Sequence, residues 1–302
     1  MKPSTPSPSL VPTQYYVPAS SHWPILASIG LFLMAFGAAT SINGLSTEGG
    51  HAGGVMLISG AVLLAWVVFN WFAAVVRESH QGLYSAQMDR SFRWGMSWFI
   101  FSEVMFFAAF FGALFYVRNF AVPWLGGEGD KGTANLLWQG FSAQWPLMQT
   151  PDMARFPGPQ QVISPWALPL LNTVLLLSSS VTLTIAHKGL KLGKRGQTKL
   201  WLGLTVLLGL AFLVFQVEEY VVAYTELGLT LKSGIYGSTF FILTGFHGLH
   251  VSLGTFMLIV ILLRVIKGHF SGDNHFGFEA VSWYWHFVDV VWVGLFLFVY
   301  IL

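Results

Sequence analysis

Three ionisable side chains near the C-terminus, Glu279, His286 and Asp289, lie in an otherwise apolar and aromatic stretch, FEAVSWYWHFVDVVW at 278–292. On a helix that advances about 100° per residue, these three and Ser282 fall within an arc of about 80°. Such a stripe can conduct protons or bind a ligand, or it can hold helices together through interhelical hydrogen bonds. We favour the second interpretation, a structural polar seam.

Glu103 lies in a different setting, within SWFIFSEVMFFAAFF at 97–111. Helical spacing places several of the phenylalanines on the same side as the carboxyl group, and desolvation by such rings favours the neutral acid. Two interpretations stay open. The residue is either a buried protonatable carboxylate that exchanges protons, or a protonated glutamate that donates one hydrogen bond to a neighbouring helix.

Two further pairs of residues invite a chemical interpretation. Glu218 and Glu219 are adjacent and therefore point about 100° apart, which argues against a shared proton, and we expect one of them to face inward. His247 and His250 have no carboxylate or third histidine nearby along the chain, so we favour helix packing over a metal. Spacing alone leaves open a haem held by histidines of the last two spans.

The composition is that of a membrane protein. The chain is 54% hydrophobic and 9% charged, against about 25% charged for an ordinary soluble domain. The absence of cysteine excludes disulfides, thiolate zinc sites and iron–sulfur clusters. No nucleic-acid motif accompanies the net charge of +2, so a nucleic-acid partner is not expected.

Apolar stretches of about 20 residues predict helices that cross the bilayer. Seven stretches qualify, at 24–43, 54–76, 94–117, 166–187, 200–225, 236–263 and 280–302. We therefore predict an all-α membrane protein with seven transmembrane helices. Residues 1–23 are rich in proline and serine at their start, and we interpret them as a cytoplasmic tail, disordered at its beginning.

Basic residues in the loops predict the orientation, because lysine and arginine favour the cytoplasmic side. With the N-terminus in the cytoplasm, that side receives eleven of the 15 basic residues and the outer side four. The eleven are Lys2, Arg77, Arg90, Arg93, Lys188, Lys191, Lys194, Arg195, Lys199, Arg264 and Lys267. The long connection at about 118–165 then lies on the outer face, as a partner surface or a variable insertion.

Seven runs of sequence resemble subunit III of the haem-copper oxidases, the cytochrome c oxidase subunit III family. They are HWPI (22–25), VVRES (75–79), SFRWGMSWFIFSEVMFF (91–107), LPLLNT (168–173), TIAH (184–187), YGSTFFILTGFHGLHVSLGTF (236–256) and HFGFEAVSWYWHFVDVVW (275–292). They follow the order of the family and cover nearly the whole chain from about residue 15.

The resemblance implies an accessory subunit with no redox centre, catalytic residue, metal or cofactor of its own. Haem and copper are expected in partner subunits. The partners would be oxidase subunit I in direct contact, with subunit II and cytochrome c in or near the complex. The implied roles are stabilisation of the catalytic subunit, phospholipid binding and support of proton uptake, in the cytoplasmic (inner) membrane of a bacterium.

The resemblance also implies an arrangement of two helices (24–76) and a five-helix bundle (94–302), joined by a cytoplasmic loop (77–93) and separated by a lipid-filled cleft. Trp71, Glu78 and Arg264 match positions near lipid headgroups, and Glu103 matches a carboxylate of the third helix. Tyr84 stands where the family has a histidine. The alternatives are subunit III of a quinol oxidase, disfavoured by the first two spans, and a proton-coupled permease.

Overall fold

The computed structural model describes residues 16–17, 20–44 and 51–302, and within them it contains helices and no strands. Seven of these helices are long and apolar enough to cross a membrane, which confirms the predicted fold class. Most of the predicted tail at 1–23 lies outside the described residues, and the cytoplasmic N-terminus stays a prediction.

Six of the seven long helices run longer than the predicted apolar windows, and the last ends at Leu295 and continues as a π-helical segment, Phe296–Ile301. The seven long helices are α1 (Trp23–Gly44), α2 (His51–His80), α3 (Ala86–Tyr116), α6 (Leu168–Lys191), α7 (Arg195–Thr225), α8 (Gly234–Ile266) and α9 (Phe276–Leu295). Two single turns, α4 (Val122–Leu125) and α5 (Ala134–Leu137), follow α3. Most of the segment predicted as a loop at 77–93 is helical, because Arg, Glu and Gln lower hydropathy without opposing a helix.

The chain divides into two compact units, Met1–Phe92 and Arg93–Leu302. In the first unit, α1 packs along α2. A Cβ atom added at Gly37 would overlap the backbone nitrogen of Leu57, and one added at Gly60 would come within 2.7 Å of the backbone nitrogen of Met34. The two backbones therefore approach closely because glycine has no side chain, a common way to pair helices in lipid.

In the second unit, α6, α7, α8 and α9 form a four-helix ring in which each helix packs against two others. Trp285 of α9 is fully buried in it, and its indole nitrogen donates a hydrogen bond to Ser179 Oγ at 2.9 Å. A Cβ atom at Gly209 of α7 or at Gly254 of α8 would come within 2.8 Å of the indole. The absence of side chains at Gly209 and Gly254 therefore leaves the space that the Trp285 indole ring occupies.

Helix α3 contacts α8 and α9 through phenylalanine side chains. The Phe106 ring lies 5.0 Å from that of Phe246 on α8, and the Phe107 ring lies 6.0 Å from that of Phe287 on α9. The long connection from Gly126 to Ala167 is mostly irregular and is tied to the bundle, since Gln160 N donates to the Leu227 carbonyl at 2.9 Å.

Candidate functional site

The residues of the predicted polar seam have two separate sets of partners. His286 and Asp289 lie together, with 3.5 Å between Nδ1 and Oδ2, and the Ser180 hydroxyl of α6 lies 2.8 Å from the same His286 nitrogen. Asp289 is 4% exposed, and this cluster links α9 to α6. Both Asp289 oxygens are buried without a hydrogen-bond partner among the described residues, so losing the His286 contact as well would be costly.

Glu279, in the first turn of α9, has other partners. Its Oε2 forms an ion pair with Arg93 Nη1 of α3 at 2.6 Å. Three further groups approach Oε1: His187 Nε2 and Lys191 Nζ of α6, each at 3.8 Å, and His275 Nε2 at 3.7 Å. Glu279 thus joins the ends of three helices.

The second candidate, Glu103, binds His250 of α8. Glu103 Oε2 lies 2.9 Å from His250 Nε2, and His250 Nδ1 lies 2.6 Å from the Phe246 carbonyl oxygen. A carbonyl oxygen can only accept, so Nδ1 carries a proton. The bond to Glu103 is therefore either a carboxylic acid donating to neutral imidazole, or an imidazolium donating to a carboxylate. One proton is shared between the two side chains in both cases.

Aromatic rings surround this pair. The ring of Phe107 stands edge-on to the His250 ring at 5.0 Å, and that of Tyr284 stacks on it at 6.3 Å. The side chain of His250 is 10% exposed and that of Glu103 is 22% exposed. The shared proton is thus largely sheltered, and Glu103 is the more exposed member of the pair.

Glu219 is the inward-facing member of its pair, as expected, since it is 2% exposed while Glu218 is exposed. Its Oε1 accepts hydrogen bonds from Tyr300 Oη at 2.6 Å and from Gln216 Nε2 at 3.2 Å. This buried carboxyl group fastens the C-terminal end of the last span to α7.

His247 has a packing role. It is fully buried, and its Nε2 donates to the Val288 carbonyl oxygen of α9 at 3.2 Å. Its ring lies 5.7 Å from that of Phe212 and 5.1 Å from that of Trp292. These contacts join α8 to α7 and α9 at this histidine.

The residues that match lipid positions are distributed over both units. In the first unit, Trp71 is 40% exposed, and Glu78 Oε2 accepts a hydrogen bond from Tyr84 Oη at 2.8 Å. Burial, with the Glu78 hydrogen bond second, raises the pKa of Tyr84, so its phenol stays a donor. In the second unit, the Arg264 guanidinium lies 4.3 Å from the centre of the Phe270 ring.

The geometry defines a class: a multi-pass membrane protein whose ionisable groups bind one another between helices. The family model for cytochrome c oxidase subunit III matches residues 13–128 and 135–302. Similar proteins named cytochrome c oxidase subunit 3 come from Prototheca wickerhamii, 39% identical over 93% of this chain and 94% of the relative, and Cyprinus carpio, 39% identical over 95% and 96%. That of Drosophila melanogaster is 39% identical over 93% of each chain. The chain belongs to the cytochrome c oxidase subunit III family.

Sequence reasoning found Glu103, Glu279, His286 and Asp289 but missed several partners. His250 was assigned to helix packing and His187 was given no site role, because the carboxylates that they meet are remote along the chain. His275 was also given no site role, although one signal was available: it precedes α9 and lies four residues before Glu279, a spacing that places the two side chains close together.

Proposed function

We propose that this chain is an accessory, non-redox subunit of a proton-pumping cytochrome c oxidase. The observation that carries the proposal is the match to subunit III along nearly the whole chain, together with relatives named as subunits of that enzyme. The chain would stabilise the catalytic subunit, hold phospholipid and support proton uptake.

The proposal assigns haem and copper to the partner subunits. It is supported by the state of the membrane-embedded histidines, since His247 is bonded to a backbone carbonyl, His250 to Glu103 and His286 to Ser180. Subunit I would be the direct partner, with subunit II and cytochrome c in or near the complex. Relatives named after cytochrome c oxidase favour that branch over a quinol oxidase.

The Glu103 and His250 pair supports a role in proton uptake. A carboxyl group and an imidazole that share one proton can pass it between them with little rearrangement, because the 2.9 Å contact persists whichever of the two side chains holds the proton. A structural role alone would need the contact but not the exchange.

Phospholipid binding is proposed for Arg264 in the second unit and for Trp71 and Glu78 in the first. Arg264 lies in the last turn of α8, where its guanidinium suits a phosphate group. Its Nε is buried with no hydrogen-bond partner among the described residues, which leaves a donor for a ligand.

The chain is a multi-pass membrane protein, and we propose the cytoplasmic membrane of a bacterium as its location. Fractionation of the cells tests this location.

The test compares three preparations of the complex: wild type, a Glu103→Gln variant, and a complex stripped of this chain. We expect the stripped complex to keep its haem spectrum but take up protons more slowly and lose activity sooner during turnover. Glu103→Gln should share the slower proton uptake while retaining the subunit.

Glu218→Gln is the matched control, because it removes an exposed carboxylate from another helix. Equal proton uptake and equal working life in the stripped and intact complexes would refute the functional proposal. Normal uptake in Glu103→Gln would refute the part that concerns the pair.

A further inference from the structure

Three potential metal ligands meet at one end of the second unit, although they are far apart in sequence. One donor atom from each of His187, His275 and Glu279 lies within 4.8 Å of those of the other two. The two imidazole rings are 5.4 Å apart, at an interplanar angle of 67°. Two imidazoles and a carboxylate are a common protein ligand set for zinc.

The helices position these ligands. His275 is the residue just before α9, and Glu279 lies one turn into that helix on the same face. His187 lies one turn before the end of α6 at Lys191. The ligands are therefore held by helix ends that pack against each other, since α6 and α9 are in contact.

The histidines have unused ring nitrogens. His275 is 8% exposed, and neither of its ring nitrogens has a hydrogen-bond partner among the residues that the structure describes. The Nε2 atom of His187 is also buried without one. Buried polar atoms in native proteins are almost always paired, with protein, water or an ion, so this pair calls for an additional ligand.

The charges around the site leave one carboxylate oxygen available. Arg93 binds Glu279 Oε2, whereas Oε1 faces the histidines at 3.8 and 3.7 Å. A carboxylate held by a second partner in this way is oriented for its ligand. Lys191 Nζ also lies 3.8 Å from Oε1, but its side chain is 52% exposed and can turn outward.

We propose that His187, His275 and Glu279 form a binding site for a divalent transition metal ion, with Zn²⁺ as the best match. Nitrogen and oxygen ligands lie about 2.0–2.2 Å from a zinc ion, so the donor atoms of a tetrahedral site are about 3.3 Å apart. The distances from Glu279 Oε1 to the two histidine nitrogens, 3.8 and 3.7 Å, would therefore have to shorten by about half an ångström. The fourth position would be open to water, reached past the side chain of His187, which is 21% exposed. The sequence had predicted no metal in this chain.

The test is equilibrium dialysis of the purified, chelator-stripped complex against buffered Zn²⁺, counting zinc per copy of this chain. His187→Gln is the main variant, because His187 is the more exposed of the two histidines, with 21% of its side chain accessible against 9% for His275. His275→Asn is the second variant. His22→Asn is the matched control, since His22 is exposed and precedes α1.

We expect the wild type and His22→Asn to bind one zinc more than His187→Gln and His275→Asn. Other zinc sites of the complex are the same in all four and cancel in the difference. Equal zinc counts in the wild type and His187→Gln, with the subunit retained, would overturn the proposal, whatever the fate of His275→Asn.

Lys191→Gln separates metal binding from a purely structural ion cluster. Removing this cation should tighten zinc binding by a factor of about 2 to 5, because it competes with the metal for Glu279 Oε1. Unchanged or weaker zinc binding in this variant would contradict the assignment of Oε1 as a ligand.

Discussion

In the first unit, glycines of α1 and α2 bring two backbones together, whereas in the second unit glycines of α7 and α8 leave space for one indole ring. The α1–α2 pair holds few buried polar side chains, and the 18-residue apolar window of α1 is 11% buried. The corresponding window of the last span, Phe276–Ile301, is 50% buried, and each other helix of the ring shares a hydrogen bond with this span. Close packing alone can pair two helices in lipid, but placing ionisable groups at depth requires a network that satisfies them.

Trp285→Ala should have the largest effect, since it empties the centre of the four-helix ring and removes the hydrogen bond to Ser179. Loss of a fully buried tryptophan costs about 3–5 kcal/mol of unfolding free energy. The measurement is thermal or denaturant unfolding of the purified complex in mild detergent, followed through loss of this chain. Trp98→Ala, at a tryptophan that is 64% exposed, should be nearly neutral, and equal losses would contradict the account of the ring.

Gly37→Val should have the second-largest effect on stability, because the added side chain would force α1 away from α2. Overpacking costs about 1–3 kcal/mol, and here the obstacle is backbone, which cannot rotate aside. Proteolysis of the α1–α2 connection in detergent measures the opening of the pair. Gly54→Val is the control, since a Cβ atom there meets nothing within 4 Å. Equal proteolysis of both variants would show that glycine contact does not hold the pair.

Asp289→Ala should lower retention of the subunit in the complex, because it leaves His286 and Ser180 without their carboxyl neighbour. Burying polar groups that have lost a partner costs about 1–3 kcal/mol. The amount of this chain that survives washing with increasing detergent measures retention, and Asp289→Asn should lose less. Full retention of Asp289→Ala together with lost turnover would contradict the structural role of this residue.

A double-mutant cycle on Glu103 and His250 should give the smallest effect on stability. Interhelical hydrogen bonds in membranes contribute about 0.6 kcal/mol on average. Unfolding of Glu103→Gln, His250→Asn and the double variant measures the coupling free energy. A coupling free energy of several kcal/mol would contradict this expectation and would mean that the pair stabilises the bundle as strongly as buried Trp285 does.

The sequence predicted the seven spans because a run of about 20 apolar residues has few alternatives in water or in lipid. It could not predict the helix ends, because Arg77 and Glu78 lower hydropathy while they continue α2. It identified Glu279 as a site residue but not its neighbours Arg93 and His187, because only the packing of α3 and α6 against α9 brings them together. The Glu103 and His250 contact was missed for the same reason.

The most direct test of the account is to tag this chain, purify it from native membranes in mild detergent, and record a reduced-minus-oxidised visible spectrum beside a subunit gel. We expect haem bands that travel with a larger partner and vanish when this chain is isolated alone. A chain that purifies alone, colourless and without partners, would contradict an accessory role in an oxidase and would favour the permease instead.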